Sequence, residues 1–206
     1  MFRRPENKDE TNYLKDNTSE LKFLINKYDR LFILGTGTSL MGANLSLLNN
    51  ELTIGISHSA SLFLPNILAW VDESFTQFLY EQGYHGFNHQ LMSNRAINKN
   101  MYKEDPEYRK FINSLDYKFD PSKLKGSLTS VFIFELLKDY VGEIYLLGFD
   151  FYPGHIYKET SPGWVSKNLD KARDQHEGYD MTIYNCNKNS NLKCYPFKIL
   201  EEVING

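Results

Sequence analysis

The stretch Leu31-Phe-Ile-Leu-Gly-Thr-Gly-Thr-Ser-Leu40 runs an apolar strand straight into two glycines, two threonines and a serine. Small polar residues at a strand end suit one chemistry well. Their backbone amides and hydroxyls hold the oxygens of a phosphate, more strongly where a helix begins behind them. Gly35, Thr36, Gly37, Thr38 and Ser39 are therefore candidate ligand-binding residues. The turn lacks the third glycine of the dinucleotide fingerprint and the lysine of a P-loop, so neither a dehydrogenase nor an ATPase is well supported. A glycine that serves only the backbone angles of a strand-to-helix turn competes with this explanation, and the segment alone leaves both open.

Gly126-Ser-Leu-Thr-Ser130 is a second hydroxyl-rich loop before a helical run, and it places Ser127, Thr129 and Ser130 where either a ligand contact or a helix cap would use them. Ser57, Asp72 and Asp150 stand at the ends of short apolar runs. A carboxylate at such a place orients a sugar hydroxyl, coordinates a metal, acts as a base or caps the next turn. Tyr152 and Tyr157, with His155 between them, lie just past Asp150. For a general base, His58, His85, His89 and His176 have the right titration range. His176 stands out, within the polar segment Asp174-Gln-His-Glu-Gly-Tyr179. No Ser-His-Asp order, His-Glu-x-x-His helix or paired-cysteine spacing occurs, so hydrolase and zinc-enzyme functions lack a motif and no metal site is expected.

These residues need elements to hold them. Residues 1–18 are polar and read as a flexible N-terminal arm. From 19 to 206 the pattern alternates: a helix over 19–28, a strand over 31–34, a helix over 39–48, strands over 52–57 and 67–71, and a helix over 75–82. The stretch 83–123 is polar and Asn-rich, and reads as an irregular insertion with a short helix near 107–115. A helix over 131–140, a strand over 142–151, a strand over 179–184 and a helix over 198–204 complete the chain. Strands alternating with helices predict an α/β fold with a mostly parallel sheet and helices on both faces, in one domain over 19–206. In such sheets ligands sit beyond the carboxyl ends of the strands, where the strand order reverses. The small and polar residues above all fall at those ends.

Composition removes several classes. With 41% hydrophobic and 24% charged residues among 206, the chain resembles ordinary globular proteins, and it shows no apolar run that would span a membrane. A net charge of −3 with scattered basic residues disfavours nucleic acid as a partner. Cys186 and Cys194, with a charged start that lacks a secretory signal, predict a reduced, cytoplasmic setting.

Ile33-Leu-Gly-Thr-Gly-Thr-Ser-Leu40 resembles the Gly-Asn-Gly-Pro-Ser-Leu turn of bacterial lipooligosaccharide sialyltransferases and of their relatives, the motility-associated flagellin glycosylation factors and 6-hydroxymethylpterin diphosphokinase-like proteins. Ser127-Leu-Thr-Ser130, followed by Gly142-Glu-Ile-Tyr-Leu-Leu-Gly-Phe-Asp-Phe-Tyr152, is similar to that superfamily's hydroxyl loop, helix and Glu-Ile-Tyr-Leu-x-Gly-x-Asp strand. Trp70-Val-Asp72 and Ile183–Ser190 extend the similarity over roughly residues 31–203. The resemblance implies a Rossmann-like nucleotide-binding domain and a transferase that moves a sugar, with inversion, from a CMP-linked donor to a glycan or other hydroxyl acceptor. By the same resemblance Gly35, Thr36, Gly37 and Ser39 cradle the nucleotide, Ser57 contacts it, and Ser127–Ser130 line its pyrimidine or ribose side. Tyr152 or Tyr157 bonds the departing phosphate, His176 deprotonates the acceptor, and no cofactor is required. Thr36, Thr38 and Ser57 depart from the family's Asn, Pro and Asn. Two alternatives stand beside this: a diphosphokinase that uses ATP and magnesium through Asp72 or Asp150, and a non-catalytic nucleotide-binding module. Self-association is left open.

Overall fold

A computed structural model describes residues 17–83, 87–125, 128–152, 156, 169–170, 174–175, 179 and 181–206. Seven strands form one open sheet: β1 (Arg30–Leu34), β2 (Thr53–Ile56), β3 (Ile67–Trp70), β4 (His89–Ser93), β5 (Tyr117–Phe119), β6 (Glu143–Leu147) and β7 (Thr182–Asn185). Their order is β5-β4-β3-β2-β1-β6-β7, and every pairing is parallel. The chain winds outward from β1 to β5, then returns to place β6 on the other side of β1. That reversal puts the switch point between the ends of β1 and β6.

Alternating side chains give the sheet two apolar faces. Leu31, Ile33, Ile54, Ile67, Ala69, Ile144 and Leu146 share a core with residues of α1 (Ser19–Ile25) and of α5 (Thr129–Leu137). α5 is buried nearly all round, which its sequence TSVFIFELL requires. On the opposite face Leu68, Trp70 and Met92 pack with α2 (Glu73–Glu81), α3 (Lys99–Glu104) and α4 (Pro106–Ser114). Phe32, Leu34, Tyr145 and Leu147 lie on that face too, with α6 (Leu200–Asn205). The expected α/β architecture, parallel and covered by helices on both faces, is thus the observed one. A ladder of aromatic rings, Phe32 on Tyr145 at 5.1 Å and Tyr145 on Tyr184 at 5.3 Å, follows the register of β1, β6 and β7 and aligns their ends.

Two expectations fail. The segment 39–48 is no α-helix: it forms two 3-10 turns, Thr38–Gly42 and Leu45–Leu48, broken by extended backbone at Ala43. Gly42, Asn44 and Ser46 are weak helix formers, and the Ser46 hydroxyl donates to the Asn44 side chain at 2.6 Å. Leu40 and Leu48 are still buried, because the apolar stripe matters more to packing than the helix type. Nor is 83–123 irregular, since residues 87–125 carry β4, α3, α4 and β5. Asn98 and Asp105 accept from the first free amides of α3 and α4, and Pro106 opens α4. His89, Gln90 and Lys118 hid the two strands, for none favours a pleated, half-buried surface.

Candidate functional site

The residues singled out at strand ends lie along the carboxyl rim of the sheet. Gly35–Ser39 follow β1, Ser57 follows β2, Asp72 follows β3 shortly before α2, and Gly148–Tyr152 follow β6. Ser57 at φ 47°, directly after β2, and Phe151 at φ 52°, beyond the end of β6, are the non-glycine residues with left-handed backbone among the described ones. Side chains in that conformation cost about 1–3 kcal/mol and collect at functional sites.

The β1 turn is extended at Gly37, at φ −72° and ψ 150°, and enters the 3-10 turn at Thr38, and its donors fall into two sets. One set points inward. Gly35 donates to the Leu147 carbonyl at 2.7 Å, Gly37 to the Gly148 carbonyl at 2.8 Å, and Ser39 to the Asp150 carboxylate at 2.8 Å. The other set, the amides and hydroxyls of Thr36 and Thr38, meets no protein acceptor among the described residues, and both threonines are half-exposed. The glycines are needed for closeness and not for unusual angles: a Cβ on Gly35 would stand 2.6 Å from the Gly148 carbonyl oxygen, and one on Gly37 2.5 Å from the Asp150 carboxylate.

Asp150 is 2% exposed. Its two oxygens accept from the Ser39 amide, the Ser39 hydroxyl and the Asn187 side-chain amide, the last at 2.7 Å. The carboxylate therefore ties the end of β6 to the turn after β1. Tyr152 stands between two anchored residues, since the Phe151 carbonyl accepts from Asn191 at 2.7 Å and the Ile156 amide donates to the Thr36 carbonyl at 2.9 Å. Asp72 is exposed; its backbone carbonyl, and not its carboxylate, receives the first amides of α2. In the second hydroxyl loop Leu128 is the N-cap of α5, so Thr129 is free of that duty, while Ser130 is buried. The first turn of α5 packs by β4 and β5, with Phe132 at 5.6 Å from Phe119 and under the Arg95 guanidinium. Thr129 and Ser130 accordingly sit farther along the rim than Ser57. Ser127, Tyr157, His176, His85 and His155 lie outside the described residues.

Beside the β1–β6 junction the rim opens into a cleft of about 340 Å³, lined by Ser39, Leu40, Gly148, Asn187, Phe197 and Glu201 among others. Cys186 also faces it, and burial pushes its thiol up to about 12, with Glu201 adding and Lys198 opposing. A thiol so placed stays protonated and is a poor nucleophile. A larger hollow of about 430 Å³ lies between α1 and Tyr140, on elements that lead into β1 and β6, and gathers none of the rim residues. Among the described residues no group of three or more His, Cys, Asp or Glu side chains is placed to hold a metal, and no helix is long and apolar enough to cross a membrane.

Sequence reasoning missed the Asn185–Asn191 segment, Asn-Cys-Asn-Lys-Asn-Ser-Asn, as part of the site. Its signal was present: asparagine at every second position beyond a strand marks backbone-binding turns.

No protein-family model matches the chain, and no curated protein matches it. Among solved structures it is similar to the sialyltransferase CST-II in complex with a trisaccharide acceptor and CMP, with a TM-score of 0.46 and 17% identity over 82% of this chain and 85% of that one. It is similar also to an α-2,3-sialyltransferase from Campylobacter jejuni in apo form, with a TM-score of 0.45 and 15% identity over 84% of this chain and 81% of that one. A third, CstII from the same organism with the substrate analogue CMP-3FNeuAc, gives 0.42 and 18% over 82% and 84%.

Proposed function

We propose that this chain is a glycosyltransferase of the sialyltransferase-like type, which moves a sugar from a CMP-linked donor to an acceptor hydroxyl. The observation that carries this is the pair Thr36 and Thr38: two amides and two hydroxyls without a protein acceptor among the described residues, at the β1–β6 switch point. Such donors suit a phosphate whose charge grows as it leaves. In the transfer the acceptor oxygen bonds to the anomeric carbon, the bond from that carbon to the phosphate oxygen breaks, and its electrons leave with CMP. His176 takes the acceptor proton in this reading, a role that rests on the sequence resemblance. Tyr152 or Tyr157 donates to the departing phosphate, Ser57 contacts the nucleotide, and Asp72 orients a sugar hydroxyl. Thr129 and Ser130, and by the sequence resemblance Ser127, line the pyrimidine or ribose side of the nucleotide. Gly35, Gly37, Ser39 and Asp150 shape the turn from within.

The diphosphokinase alternative needs Asp72 or Asp150 for magnesium. Asp150 is poorly suited, because its oxygens already accept three hydrogen bonds. A melt of the protein with CMP, CDP, UDP, GDP or ATP, each with and without magnesium, tests the choice. CMP without metal should raise the midpoint, because a ligand at a hundred times its Kd adds about 2.7 kcal/mol. A shift seen only with ATP and magnesium overturns the sugar-transfer function. CMP release from a CMP-linked nonulosonic acid then separates an enzyme from a binding module.

A further inference from the structure

Four asparagines, at 185, 187, 189 and 191, recur at every second residue from the last residue of β7 onward, and the loop they form closes on the end of β6. Three consecutive carbonyls there each receive a donor from it. The Ser190 hydroxyl and the Asn185 side chain donate to the Phe149 carbonyl, the Asn191 amide to the Asp150 carbonyl at 2.8 Å, and the Asn191 side chain to the Phe151 carbonyl at 2.7 Å. The loop is braced within itself as well. Asn185 accepts from the Asn187 amide at 2.9 Å, Asn187 from the Asn189 amide at 3.0 Å, and Ser190 from the Leu192 amide at 3.0 Å. Backbone carbonyls held at three points in succession explain how Phe151 keeps its left-handed φ of 52°.

We propose that this loop is the positioning element of the rim site and that Asn187 is the positioning residue through which it acts on the β1 turn; the ligand side of this inference rests on the function proposed above. Among the described residues Asn187 is the loop side chain that hydrogen-bonds a side chain of the β6 end, donating to the Asp150 oxygen that also accepts from the Ser39 hydroxyl. A carboxylate this buried must have its lone pairs satisfied, or it turns toward water. Without the Asn187 donor, Asp150 swings from Ser39, the Ser39 amide opens, and the neighbouring Thr36 and Thr38 donors lose their fixed spacing. Only an amide fits position 187, since its oxygen accepts from Asn189 while its nitrogen donates to Asp150. An aspartate there would set two carboxylates in contact.

The test compares Asn187→Ala and the milder Asn187→Ser with Asn189→Ala, whose side chain is exposed, as control. Amide hydrogen exchange by NMR on the free protein should show the Ser39 amide exchanging roughly tenfold faster in Asn187→Ala, the effect of losing about one hydrogen bond, and less so in Asn187→Ser. The Ile33 amide in β1 should keep its rate, which separates a local opening from general loss of the sheet. Calorimetric titration with CMP should give a Kd raised roughly tenfold in Asn187→Ala and unchanged in Asn189→Ala. An unchanged Ser39 rate overturns the brace, and a faster Ser39 with unaltered CMP affinity overturns its role in positioning. If the wild-type chain binds no CMP, the proposed function falls, and the Ser39 rate alone decides whether Asn187 holds the turn.

Discussion

Gly37→Ala separates a glycine that serves a ligand from one that serves the fold. The added methyl would stand 2.5 Å from Cγ and Oδ2 of Asp150 and 2.7 Å from the Gly148 carbonyl oxygen. Neither neighbour yields easily: one is backbone, and the other is a carboxylate held by Ser39 and Asn187. The turn must therefore lift from β6. Overpacking of this kind costs about 1–3 kcal/mol, and losing the amide bonds of Gly37 and Ser39 adds about 2 kcal/mol or more, because one of them goes to a charged acceptor. A total of about 3–5 kcal/mol in a chain of this size lowers the melting midpoint by roughly 6–20 °C. Gly42→Ala is the control, since a Cβ there meets nothing within 4 Å. It should leave stability unchanged or raise it by up to about 1 kcal/mol, with the midpoint at or slightly above that of wild type. Scanning calorimetry of both variants decides the matter. A Gly37→Ala protein that melts within about 2 °C of wild type, yet no longer binds CMP, would show that the close packing is illusory and that the glycine exists for ligand approach.

Thr36→Val and Thr38→Val should each weaken CMP binding about fivefold, through loss of one hydroxyl worth about 1 kcal/mol, with little change in the melt; equal affinity in both would remove these donors from the site. His176→Ala should leave the CMP Kd near wild type and lower turnover by roughly two to four orders of magnitude, so undiminished transfer would take His176 out of the chemistry. Stability should fall as pH rises from 9, the ordinary thiol value, through about 12, because Cys186 keeps its proton in the native state up to about 12 while the unfolded chain releases it. Tyr179 and Tyr195, both raised chiefly by burial, act in the same direction at higher pH. Denaturant midpoints measured across that range should drop less steeply in Cys186→Ala, and an identical slope would refute the assignment.

Alternation of apolar runs with helical spacing made the parallel sheet legible, and the Gly-Thr-Gly-Thr-Ser turn and the strand ending in Asp150 pointed to neighbouring tips. β4 and β5 were not legible, because short strands near a sheet edge tolerate residues such as His89, Gln90 and Lys118 that carry no strand signal. The buried Lys118 ammonium, its pKa lowered by desolvation, survives there by donating to the Leu115 carbonyl at 3.0 Å, a partner no periodicity predicts.

The site shows the same limit more sharply. A hydroxyl, an amide or a carboxylate at a strand tip has equal capacity to hold a ligand or to hold the next tip, and local sequence does not distinguish the two. Ser39 and Asp150 are 111 residues apart in the chain, and their pairing turns both inward. Thr36 and Thr38 have the same chemistry as Ser39, yet their amides and hydroxyls meet no protein acceptor among the described residues. Under the function proposed above, a ligand at this turn is therefore read first by the threonines, and Gly35, Gly37 and Asp150 change its affinity by moving them.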